Sequence, residues 1–127
     1  MRTADANALL AYPFEHLLPE ERRSWYLGVA HATALLTDPE AVLAHARQRL
    51  AVLRARHTTG PLAADLQTWA KLLDGPVSGV VAVLTSPAQA AVQLRANAPF
   101  AGILADHVRL AVRGTWRAEE NARATGE

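Results

Sequence analysis

Residues 38–76 read DPEAVLAHARQRLAVLRARHTTGPLAADLQTWAKLLDGP, and their punctuation decides the fold. Asp38-Pro39-Glu40 joins a capping acid, a proline suited to the first helical turn and an acid at the positive end of a helix dipole. Behind it Val42, Leu43, Ala46, Leu50 and Leu53 recur at helical spacing, an apolar arc about 100° wide. Thr58-Thr59-Gly60-Pro61 breaks that helix and opens another, in which Leu62, Leu66, Trp69 and Leu73 repeat the stripe. Asp74-Gly75-Pro76 is a stop followed by a restart.

The same grammar extends in both directions. Pro19, Pro39, Pro61, Pro76 and Pro87, five of the seven prolines, each open a helix-like or apolar stretch. Proline's fixed φ and missing N–H suit a helix start and little else inside a helix. Upstream, residues 3–11 read as a short helix stopped by Pro13, and Tyr12 to Leu18 as an apolar connector. From Pro19 the pair Glu20 and Glu21 occupies a first turn, and Trp25, Val29, Ala32 and Leu36 then share one face. Leu18 is a weak N-cap. Gly28, one turn before Ala32, suits either the close approach of another helix or ordinary packing.

Downstream, Gly79 to Thr85 suits a buried strand or a helix. With no second strand-like segment to pair with, it reads as helix. Ser86-Pro87-Ala88-Gln89 has the form of a capping box, opening a helix that ends before Pro99. In a last helix led by Asp106, the residues Leu104, Val108, Ala111 and Val112 face inward. Ala118 to Glu127 is polar and expected to fray. The expected fold is therefore all-α, a compact bundle of five to six short helices. It forms a single domain over 1–127, with 1–18 an N-terminal arm and 118–127 a frayed tail.

Composition agrees. Of 127 residues, 27 are alanine and 18 leucine, both favourable in helices. The absence of cysteine excludes disulfides and thiolate metal sites. The apolar runs, such as Val80 to Leu84, are too short to span a bilayer, and no secretory h-region precedes Pro13. A cytoplasmic protein without a membrane role is expected.

The residues point to no catalytic chemistry. The five histidines have no partners at i+3 or i+4 among themselves, so no metal site is expected. Ser24, Ser78 and Ser86 lack a nucleophile-elbow context, and Gly75 to Gly79 is not followed by a phosphate-loop Lys-Ser/Thr. Leu94 to Arg113 loosely fits a helix-turn-helix, but Pro99 would fall inside its first helix. No enzyme and no cofactor are expected. The net charge is +1, yet its distribution is uneven. Arg47, Arg49, Arg54 and Arg56 lie in an acid-free segment and are the candidate nucleic-acid contacts. Arg109, Arg113 and Arg117 repeat every turn with Leu110 on the same outer face, a pattern that suits a protein partner as well as phosphate and makes these four the candidate partner-binding residues. Trp25, Trp69 and Trp116 read as core anchors, with Trp116 the one expected to be exposed.

Two stretches carry a resemblance. Trp69-Ala70-Lys71-Leu72-Leu73-Asp74-Gly75-Pro76 is followed by Leu94-Arg95-Ala96-Asn97-Ala98-Pro99-Phe100-Ala101-Gly102-Ile103-Leu104. Together with the Asp38-Pro39 helix they resemble, over residues 20 to 105, small helical proteins of high-GC actinobacteria. In that group W-x-x-L-L-D-G-P precedes L-R-x-x-x-P-F-A-G-x-L. Such proteins are associated with toxin–antitoxin-type cassettes, as the antitoxin or regulator. The chain departs from the pattern at Ala105-Asp106-His107-Val108-Arg109, where a Ser/Thr/Asp-led acidic-basic helix would follow. The resemblance implies a non-enzymatic, antitoxin-like protein that masks a partner, a toxin, with operator DNA as a further candidate contact. The alternative is a nucleic-acid-binding transcriptional regulator without a toxin partner. In either case Pro99 ends a helix, Phe100 plugs the bundle and Gly102 permits a turn.

Overall fold

A computed structural model describes residues 14–126 and shows six helices and no strand among them. They are α1 (Pro19–Thr37), α2 (Pro39–Arg56), α3 (Gly60–Asp74), α4 (Val77–Thr85), α5 (Gln89–Arg95) and α6 (Asp106–Ala124). The protein is all-α. The short helix expected over 3–11 lies outside the described residues.

Helix α1 is the central element, packed against α2, α4, α5 and α6, while α3 bridges α2 and α4. Its start is held by the Glu21 carboxylate, which accepts a hydrogen bond from Leu18 N–H at 2.8 Å. This makes up for a leucine that cannot cap through its own side chain. Asp38 serves both neighbours: its N–H donates to Ala34 O at the end of α1, and its side chain accepts from Ala41 N–H at 3.3 Å. The arc expected on α2 is inward, with Val42, Ala46 and Leu50 buried and Leu43 and Leu53 half-buried. On α3, Leu66, Trp69 and Leu73 are buried.

One connected core results, from Ala32 and Leu35 through Leu66 and Trp69 to Val80, Leu84 and Phe100. Burying each large side chain contributes about 1.5–3 kcal/mol. Trp69 is satisfied as well as buried, because its Nε1 donates to Leu94 O at 2.8 Å and its ring meets Phe100 edge-on at 5.6 Å. Phe100 does plug the bundle. The turn behind it depends on Gly102, whose φ of +88° is one that side-chain-bearing residues rarely adopt. Beside that turn the His45 ring hydrogen-bonds Ala101 O at 2.7 Å.

Four expectations need correction. On α1 the core-facing leucine is Leu35, fully buried, and not Leu36, which is 62% exposed. The helix is rotated because Gly28 sits against the end of α4, where an added Cβ would lie 1.9 Å from Leu84 O. That contact, absent from any periodicity, chooses which stripe faces in. The Ser86 capping box is not formed: Ser86 follows the end of α4, Ala88 precedes α5, and Pro87 lies in neither helix. Ala111 is exposed, and α6 has no buried residue. Finally, the tail expected to fray from Ala118 forms the last turns of α6, helical to Ala124. Ion pairs from Glu120 and Arg123 to residues near the start of α1 hold it there.

No single helix among the described residues is long and apolar enough to cross a membrane. The apolar pair α4–α5 folds back on itself by 104° and places Val80, Leu84 and Ala91 among the buried hydrophobic residues.

Candidate functional site

Helix α6 lies against α1 and outside the main core. Its C-terminal half supplies the anchors. Arg22 of α1, only 8% exposed, donates to both carboxylate oxygens of Glu120, at 2.6 and 2.8 Å, and also to Leu17 O. The paired hydrogen bonds raise the Arg22 pKa and hold the Glu120 carboxyl below its ordinary value. Two further ties act nearby. Trp116 Nε1 donates to Pro19 O at 2.9 Å, so Trp116 is half-buried and not free. Arg123 pairs with Glu15 at 2.5 Å and lies over the Phe14 ring.

The N-terminal half of α6 borders a groove of about 430 Å³ lined by Arg23, Leu27, Asp106, Arg109, Leu110, Val112 and Arg113. Leu27 and Val112 are half-buried, whereas Arg109 and Arg113 are exposed and Leu110 is 64% exposed. Asp106 is engaged by Arg109 one turn away. Arg23 reaches Glu20 at 3.7 Å and stands 5.9 Å from the centre of the Trp116 ring. Three guanidinium groups therefore surround an apolar strip with one acid among them.

The structure brings Arg109, Leu110 and Arg113 to this groove together. Arg117 is exposed on α6 but does not line it. Arg23 and Leu27, which complete the groove, carry no signal in the sequence, because nothing local says that α6 lies across that part of α1.

The α2 arginines do not form one face. At 100° per residue Arg47 and Arg54 fall on one flank of the apolar arc and Arg49 and Arg56 on the other. Arg47 donates to Leu73 O in the last turn of α3 at 3.1 Å, which commits it to capping that helix. Arg47 and Arg54 share a groove with Leu73 and Asp74, and Arg49 and Arg56 are exposed.

A second cleft shares Arg23 and Leu27 with the first and runs toward Ser24, His31, Arg95 and Phe100. His31 stacks at a tilt on Phe100, ring centres 5.4 Å apart, and burial pushes its pKa down to about 4. No group of three or more His, Asp or Glu side chains among the described residues could hold a metal ion. No protein-family model, curated protein or solved structure matches the chain.

Proposed function

We propose that this protein is a non-enzymatic, antitoxin-like interaction module acting in the cytoplasm, which masks a partner protein in the α1–α6 groove. One observation carries the reading. Leu110 stands 64% exposed at the groove, on a helix with no buried residue of its own, amid Arg23, Arg109 and Arg113. An apolar strip bordered by arginines matches a partner helix whose apolar ridge is flanked by carboxylates. Arginine is well suited to such a border because its planar donors pair bidentately with carboxylates.

The α2 arginines give weaker support to operator binding, since Arg47 is already engaged with Leu73 O and the four residues diverge around the helix. The test is capture of the partner from the native host by tagged wild-type protein and by Leu110→Asp and Arg113→Glu variants. A stoichiometric protein is expected with the wild type, retained at about 0.5 M salt, where exposed charge pairs are largely screened. Both variants should fold normally and lose it. Equal retention by the variants would reject the groove as the docking surface. Nucleic acid recovered without a protein, and lost on reversing Arg49 and Arg56, would favour the regulator reading.

A further inference from the structure

Arg95, in the last turn of α5, is 8% exposed, and among the described residues no carboxylate pairs with it. Its Nη1 donates to Val83 O at 2.9 Å and Ser86 O at 2.5 Å, and its Nε to Ser24 Oγ at 3.0 Å. Its Nη2 has no partner and is closed off from solvent, so what the cleft meets is the charge and not this donor. The carbonyls explain part of this placement, because the C-terminal end of α4 carries about half a negative charge. A whole guanidinium charge nevertheless exceeds what a helix end supplies, and a buried arginine does not shed its proton.

The same residue lines the second cleft, of about 310 Å³. Around it lie Ser24 and His31, with Leu27, Leu84, Ala98 and Phe100 as apolar wall. Glu20 is the one acid lining the cleft, and it is drawn to Arg23 at 3.7 Å. Gly28 keeps the wall low where a side chain would strike Leu84 O and the Arg95 side chain.

We propose that this cleft binds a small organic oxyanion, a carboxylate or phosphate monoester on a compact apolar body. The Ser24 hydroxyl donates to the oxyanion beside the Arg95 charge it is hydrogen-bonded to, and Leu27, Leu84 and Phe100 take the body. His31 is neutral at physiological pH, so it donates a hydrogen bond without adding charge. This is a small-molecule site, distinct from partner docking.

Titration of ¹⁵N-labelled full-length protein with benzoate, phenyl phosphate and inorganic phosphate tests it. At least one of the two organic probes should give saturable shifts at Ser24, Gly28, His31, Ala98, Phe100 and the Arg95 side-chain Nε–H, with Kd below about 1 mM. Whichever of them binds more tightly identifies the preferred head group. Inorganic phosphate should bind at least tenfold more weakly, since it has no apolar body. Ser24→Ala should weaken binding about tenfold. Because Arg95 replacements threaten folding, the decisive variant is Ala96→Trp, at an exposed position bordering the cleft. It should abolish the shifts and leave the rest of the spectrum unchanged. No saturation by either organic probe at about 10 mM, or binding that survives Ala96→Trp, would overturn the proposal. Equal affinity for inorganic phosphate would overturn the apolar half of the ligand assignment.

Discussion

Replacing Gly28 with alanine puts the packing argument at risk most directly. The new Cβ would lie 1.9 Å from Leu84 O, whereas side-chain Cβ atoms essentially never come within 3.0 Å of a neighbour, so α1 and α4 must separate by at least 1.1 Å. The obstacle is a backbone carbonyl and cannot rotate away. Separation at that point loosens Ala32, Leu35, Val80 and Leu84 together, all members of the core. Overpacking of this kind costs about 1–3 kcal/mol, and a rigid neighbour puts it at the upper end. Alanine's better helix propensity returns about 1 kcal/mol, leaving a net loss of about 2 kcal/mol. For a chain of this size that lowers Tm by roughly 6–10 °C. Gly114→Ala is the matched control, because that glycine is also helical and nothing lies within 4 Å of its added Cβ. It should gain up to about 1 kcal/mol. Urea denaturation of the three proteins reads both effects as shifts in midpoint at constant slope. A Gly28→Ala protein within about 0.5 kcal/mol of wild type would refute the close approach of α1 and α4.

Acid should weaken the fold through His31. Its pKa falls from an ordinary 6.5 to about 4 in the folded state, so between those values the unfolded chain takes up a proton that the folded one refuses. Stability then declines as pH drops from about 6.5 to 4, by up to about 3 kcal/mol. His31→Leu should flatten that slope in urea midpoints, and an unchanged slope would remove His31 as its source. Glu120→Gln leaves Arg22 buried without its counter-charge, at a cost of about 2–3 kcal/mol. Hydrogen exchange should show the loss concentrated in α6, and uniform loss across the chain would contradict the peripheral docking of that helix.

Much of the architecture was legible because its determinants are local. Asp38-Pro39 and Gly60-Pro61 mark helix starts by chain stereochemistry alone, and the stripes on α2 and α3 are regular enough to name their buried residues. Gly102 and Phe100 were readable for the same reason. What failed depends on distant contacts. Leu35 replaces Leu36 because Gly28 meets a carbonyl on α4. Nothing local marks Arg95 as buried, because the carbonyls it caps belong to the end of α4. The tail is polar whether it frays or pairs, and Glu120's partner Arg22 lies 98 residues away. Of the candidate site, Arg109, Leu110 and Arg113 were found from their spacing, while Arg23 and Leu27 could not be.

The burial of α6 bears on the docking role proposed for it. Amphipathic spacing states that a helix has an apolar face and leaves open what covers it. Here α1 covers that face only partly, since Val108 and Val112 stay half-buried and Ala111 is exposed. The work of holding the helix falls to polar groups instead, and these are unevenly placed. Trp116, Glu120 and Arg123 fasten its C-terminal half to α1 and to the residues before it. Asp106, Arg109, Leu110 and Arg113 border the groove from its N-terminal half. A helix anchored at one end by an almost buried ion pair can present the other end without risking the core, because none of its groove residues is buried. Changes at Leu110 should therefore alter binding with little effect on folding. Changes at Glu120 should alter both, and that asymmetry separates a surface used for recognition from one that merely closes the fold.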